Sequence, residues 1–333
     1  MMKSHTAIHQ EPVDQASRNA VRASAALASP PKARSPWHRR GAHHGIGQAI
    51  ATARAPATFG ELLQGRDPLS GHDFLVTLPI TLQSVARYCG FEKSTALYVF
   101  PADKAKSLKA ARLFLQKFGI DSGGILQISS GVSEGKGLAS SSADIVATLR
   151  ALANYFDVSL GLDDMLEIIR QIEPTDGVMF DESVAFFHRR VELGAVIGKL
   201  PRMCMLAIDE GGMIDTVSYN KRHFDFSDEE KHAYGALLDD ITAAIRDGDV
   251  RAIGSAATAS TRLHQKRNRK ETFAELERIL AEVEADGIVN CHSGTLIGLC
   301  FDASHPESLD KISRAEVALG SALQKRVFRF FTN

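Results

Sequence analysis

Tryptophan occurs once in the 333 residues and cysteine four times. Cys89, Cys204, Cys291 and Cys300 form no C-x-x-C pair and keep no short spacing to histidine. That excludes a disulfide scaffold and the usual zinc ligand sets, and implies free thiols in a reducing compartment. No apolar run approaches the roughly 18 residues needed to span a bilayer. The formal net charge is only -1, so no global field attracts nucleic acid or an anionic membrane. The expectation is a cytoplasmic protein whose partner is a small molecule, with nothing to specify its oligomeric state.

What is present is ordinary globular composition, 44% hydrophobic and 24% charged. Residues 1–50 differ. They are rich in Ala, Ser, Pro, Arg and His, and seven basic side chains face only Glu11 and Asp14, a charge of +5. The reading is a disordered basic tail with no secretory h-region. Periodicity then predicts strands at 74–80, 84–90 and 96–100, a helix over 103–118, a strand at 125–129, and helices over 142–156 and 162–172. Short strands follow at 184–187 and 194–197. A second unit begins near Met203 with a strand at 203–208. It continues with helices over 228–246, 250–263 and 272–284, a strand at 296–301, a helix over 307–319 and a strand at 326–331. Strands at both ends with helices between predict an α+β sandwich for this half.

The segment Ser133-Glu-Gly-Lys-Gly-Leu-Ala-Ser-Ser-Ser lies between a predicted strand and a strong helix. Gly135 and Gly137 let a ligand approach the backbone, and Ser140, Ser141 and Ser142 offer amides and hydroxyls at a helix N-terminus, a ready anion site. The plainer alternative is a serine N-cap after a flexible turn. Three residues between Gly131 and Gly135, and Leu138 two past Lys136, break the P-loop pattern. A Rossmann fingerprint does not fit either, and there is no G-x-S-x-G elbow for a serine hydrolase.

The run GKGLASSSAD at 135–144 resembles the second motif of the GHMP kinases, P-x-x-x-G-L-[GA]-S-S-A, with Ser133 where that family carries proline. PATFGELLQG at 56–65 resembles the first motif, in the form found in L-threonine kinases of cobalamin synthesis and propanediol utilisation, and IEPTDGVMF at 172–180 resembles the same subfamily. CHSGTLIG at 291–298 stands where the third, glycine-rich motif belongs, with Gly294 placed to close over substrate or phosphate. The resemblance covers residue 55 to the C-terminus. It implies the two-domain α+β GHMP kinase fold. A ribosomal protein S5 domain 2-like ATP-binding domain would span 51–200, and a ferredoxin-like α/β sandwich 201–333.

It also implies ATP and Mg²⁺ as cofactors and transfer of the γ-phosphoryl to a small alcohol, with L-threonine as the expected acceptor. Gly135, Lys136, Gly137, Leu138, Ala139, Ser140, Ser141 and Ser142 would hold the nucleotide. Ser141 and Glu173 would hold Mg²⁺, with Glu167 a weaker alternative more in keeping with a solvated helix face. Asp176 and Lys136 would act in catalysis, although an Asp in a Pro-Thr-Asp-Gly turn also serves as a turn former and Lys136 as a solvated charge. Glu61, Gln64 and Asp215 would contact the acceptor. His292 and Ser293 would line the cleft or serve structure. Two other readings stand beside this one: a kinase for another small alcohol such as homoserine, and a nucleotide-binding regulator without catalysis.

Overall fold

The structure, a computed structural model, describes residues 50–91, 93–212 and 224–332. The basic tail and Asp215 lie outside the described residues.

Strand β1 (Ile50–Arg66) pairs antiparallel with β2 (Asp73–Phe91). The two strands predicted at 74–80 and 84–90 are one 19-residue strand. A bulge separates them, because Pro56 pairs with Gln83 and Ala57 already with Ile80. Before the bulge every residue of 74–80 is buried, whereas beyond it burial alternates from Ser84 to Gly90. One half of β2 is therefore covered on both faces and the other on one.

β3 (Leu97–Phe100), helix α1 (Ala105–Lys117) and β4 (Gly123–Ser130) follow, with β4 antiparallel to β2 and β3 parallel to β4. Helix α2 (Ser140–Phe156) is the core element of this half. Its Ile145, Val146, Leu149 and Leu152 pack with Tyr88, Phe114 and Leu126 in one apolar cluster. Helix α3 (Leu162–Arg170) and the hairpin of β5 (Ser183–Phe187) and β6 (Glu192–Gly198) complete it.

β7 (Met203–Asp209), α4 (Asp228–Asp247), α5 (Val250–His264), α6 (Phe273–Val283), β8 (Gly287–Asn290), β9 (Leu296–Asp302), α7 (Ser308–Leu323) and β10 (Val327–Phe331) form the remainder. Their order matches the sequence expectation, with β8 added. The sheet runs β10-β7-β9-β8-β1-β2-β4-β3, and β5 also pairs with β2. Helices α4 and α5 cover one face, where Tyr234, Ile241, Ile253 and Ala257 meet Phe59, Leu62 and Val76. Helices α6 and α7 cover β7 to β9 through Leu276, Ile279, Ile312 and Leu319.

The β1–β8 junction carries the site. Glu61 is the β1 residue that pairs across it, opposite Asn290. Here three segments touch main chain to main chain: Gly60 N–H donates to Gly137 O (3.0 Å) and Thr295 N–H to Lys136 O (3.2 Å). A Cβ on Gly60 would fall 2.5 Å from Cys291 Cα, and one on Gly137 2.5 Å from Cys291 Cβ, each at positive φ (51° and 88°). Only glycine allows both the conformation and the contact.

Gly60→Ala should therefore cost more than the roughly 1–2 kcal/mol of left-handed strain alone, about 1–3 kcal/mol more for the clash. Gly71→Ala, at φ +69° with nothing within 4 Å of the new Cβ, should cost only the strain. Urea unfolding of both variants measures the difference.

Candidate active site

The same junction borders a cavity of about 510 Å³. Gly135, Gly137, Leu138, Ala139, Ser140, Ser141 and Ser142 line it together with Glu173, Asp176 and Ser293. The α2 N-terminus opens into this space. Its first residues follow Ala139, which sits in the left-handed region (φ 55°) and makes no side-chain cap. By contrast, the α4 N-terminus carries a full capping box between Ser227 and Glu230. The first amides of α2 are thus donors without intrahelical acceptors, at the positive end of the helix, facing a cavity.

Glu173 follows α3 and is buried. Its Oε1 accepts from Ser141 Oγ at 2.5 Å and its Oε2 from Lys106 Nζ at 2.5 Å. A carboxylate and a hydroxyl in contact, beside room for phosphate oxygens, make the hard oxygen donor set that Mg²⁺ takes. Pro174 ends the helical path and turns Asp176 into the cavity. Burial, together with the charges of Glu61 and Glu173, raises its carboxyl to about 8.

Glu61 lies behind the cavity, fully buried. Its Oε2 accepts from the His292 backbone N–H (3.2 Å) and, when ionised, from His292 Nδ1–H (3.0 Å). Ser260 Oγ meets the other ring nitrogen at 3.2 Å. Burial, followed by the Lys270 charge, drops the His292 imidazole to about 3, so the ring is neutral. Burial raises Glu61 to about 7, against the lowering influence of the His292 amide and Lys270.

Two expected residues lie elsewhere. Lys136 turns out of the cavity, its Nζ held by Asp209 Oδ2 (2.6 Å) and Gly212 O (2.7 Å). Gln64 borders a separate void of about 20 Å³ with His188 and Arg267, and is not brought to the cavity. Glu167 pairs with Lys117 on the exposed face of α3, a solvated helix charge.

The sequence reading passed over Lys104, Lys106 and Asp144, which also line the cavity. Lys104 Nζ bonds Asp144 Oδ2 at 2.7 Å and Glu134 Oε1 at 2.5 Å, and Ser84 Oγ donates to Asp144 Oδ1 at 2.5 Å. Burial pulls the Lys104 ammonium down, but the two carboxylates outweigh it and hold it above its usual range. A signal existed. Two lysines at a helix start, with no acid in the first turn, oppose the helix dipole and ask for another source of negative charge.

Residues 105–188 match the family model described as GHMP kinases N terminal domain. This stretch carries the N-terminal domain of the GHMP kinases. The chain is 24% identical over 274 residues to an L-threonine kinase of Salmonella typhimurium, covering 77% of this chain and 84% of the relative. It is 26% identical over 255 residues to an L-threonine kinase of Citrobacter freundii, covering 76% and 87%. The crystal structure of homoserine kinase from Cytophaga hutchinsonii superposes with a TM-score of 0.65 at 15% identity, covering 88% of this chain and 97% of that one. The α+β GHMP kinase fold expected from the motifs is therefore the fold of this chain. Among the described residues no helix is long and apolar enough to cross a membrane.

The raised carboxyls fix the sign of a pH effect. Folded Asp176 and Glu61 keep protons that the unfolded chain has released above its ordinary 3.8 and 4.5. The folded state then binds more protons, and its stability falls as pH rises from about 4 toward about 8. Asp176→Asn should raise Tm at pH 8 by about 2–4 °C, worth about 1 kcal/mol, and change it little at pH 4. Thermal melts of the ligand-free protein at the two pH values measure this.

Proposed function

We propose that this GHMP kinase transfers the γ-phosphoryl of ATP to the hydroxyl of L-threonine, giving O-phospho-L-threonine for the aminopropanol arm of cobalamin. The observation that carries the transfer is the convergence of Ser141, Glu173 and Asp176 on one cavity beside the uncapped α2 N-terminus. The acceptor is supported by the two L-threonine kinases that match about three quarters of the chain, and by the resemblance of residues 56–65 and 172–180 to that subfamily.

In this reading residues 51–200 are the ATP-binding domain and 201–333 the C-terminal domain. The amides of Ser140, Ser141 and Ser142 hold the phosphates, and Gly135 and Gly137 let them reach the backbone. Ser141 Oγ and the Glu173 carboxylate hold Mg²⁺, which when bound neutralises charge developing on the phosphoryl oxygens. Asp176 orients the acceptor hydroxyl and, once ionised, accepts its proton. Glu61, held by His292, offers a buried carboxylate toward the acceptor's ammonium. A regulator without catalysis would have no use for a raised carboxyl lining the same cavity.

The purified protein with Mg-ATP should release ADP in the presence of L-threonine, and less with L-homoserine, L-serine or a sugar. Turnover with another acceptor and none with threonine would overturn the acceptor assignment. Asp176→Asn should lower kcat by about 10²–10⁴ while ATP still binds in a calorimetric titration.

A further inference from the structure

Glu173 is already neutralised in the structure. Its Oε2 lies 2.5 Å from Lys106 Nζ, and its Oε1 accepts from Ser141 Oγ at the same distance. These are the two side chains assigned above to the divalent cation, and a lysine ammonium stands against one of them. The cavity as a whole is acidic: Asp103, Glu134, Asp144, Glu173 and Asp176 line it against Lys104 and Lys106. A nucleotide polyanion entering alone meets excess negative charge, and a divalent cation entering alone meets Lys106.

The two lysines are not equivalent. The Lys104 side chain is 13% exposed and holds two carboxylates, whereas that of Lys106 is 43% exposed and holds one. The Lys106 ammonium, on a flexible four-carbon stem, can swing away, whereas Glu173, 5% exposed, stays buried and needs another cation in its place. We infer that Lys106 is a placeholder for the metal, its ammonium occupying Glu173 in the nucleotide-free kinase and leaving for a phosphate when the cation arrives.

The consequence is a coupling between two ligands. A cation alone must expel Lys106 with nothing to receive the ammonium. A cation with a nucleotide brings phosphate oxygens into the cavity that Lys106 also lines, so the displaced charge is paired again. Metal and nucleotide therefore each bind better in the other's presence, and the enzyme takes the metal–nucleotide complex instead of storing metal on its own. The role of Lys106 is then to keep Glu173 paired while waiting and to meet phosphate afterwards. The inference rests on the reading of Ser141 and Glu173 as metal ligands.

The test uses the full chain and Mn²⁺ as probe, without nucleotide, followed by the electron paramagnetic resonance of free Mn²⁺. Lys106→Met should bind Mn²⁺ about fivefold or more tightly than wild type, because the like charge is gone. Lys106→Arg, which keeps the charge, should bind as weakly as wild type. The Mn²⁺–ATP complex, titrated calorimetrically, should bind Lys106→Met about tenfold more weakly. Equal Mn²⁺ affinity of wild type and Lys106→Met, with Mn²⁺–ATP still bound by wild type, overturns the placeholder role and leaves the metal site standing. If Glu173→Gln binds Mn²⁺–ATP as tightly as wild type, the metal assignment itself falls, and this inference with it.

Discussion

Everything at this site depends on three chain segments lying against one another with no side chain between them. Gly60, Gly137 and the turn at Gly294 meet where β1 joins β8, and the amides and carbonyls of the first two motifs bond directly across the gap. Backbone in contact with backbone is stiff, because no rotamer can absorb a shift. The loop before α2 is thereby held so that its helix N-terminus faces the cavity, and Cys291 is held so that the following His292 reaches Glu61. Close packing of this kind transmits position across the molecule: the loop before α2 and the His292 support of Glu61 are registered through one contact.

The electrostatics follow from where that contact puts charge. Most carboxylates near the cavity have a cation, Asp144 and Glu134 sharing Lys104 and Glu173 taking Lys106. Burial pushes Glu61 and Asp176 upward instead, against the His292 amide and the Lys270 charge for Glu61 and with the help of neighbouring carboxylates for Asp176. A buried carboxyl without a bonded cation either keeps its proton or awaits a cationic ligand. That division separates the carboxylates paired with lysine from those left to burial. His292 supports Glu61 of the second set: it stays neutral, and its ring is fixed between Glu61 and Ser260 with its backbone carbonyl accepting from Asn268.

Much of this was legible beforehand. Helix α2 announced itself by the spacing of Ile145, Val146, Leu149 and Leu152, and the serines ahead of it by their types. The motif residues Gly137, Ser141, Glu173 and Asp176 were named before their distances were known, and they do share a cavity. β1 was missed as a strand because Pro56, Gly60 and Gly65 interrupt it and because residues 55–63 are buried throughout, which erases the period-two signal. β8 was missed for its length of four residues.

Composition, periodicity and motif order alone determined the class of fold and the glycine- and serine-rich loop ahead of α2, since both rest on local backbone preference and on apolar spacing along the chain. Side-chain partnerships were decided only in three dimensions. Lys136 sits inside that loop yet turns to Asp209, while Lys104 and Lys106, some 30 residues or more earlier, face the cavity. Glu61 and His292 meet across 231 positions. A charge selects its partner by proximity in a low-dielectric interior, and proximity between distant segments exists only once the sheet has closed the chain upon itself.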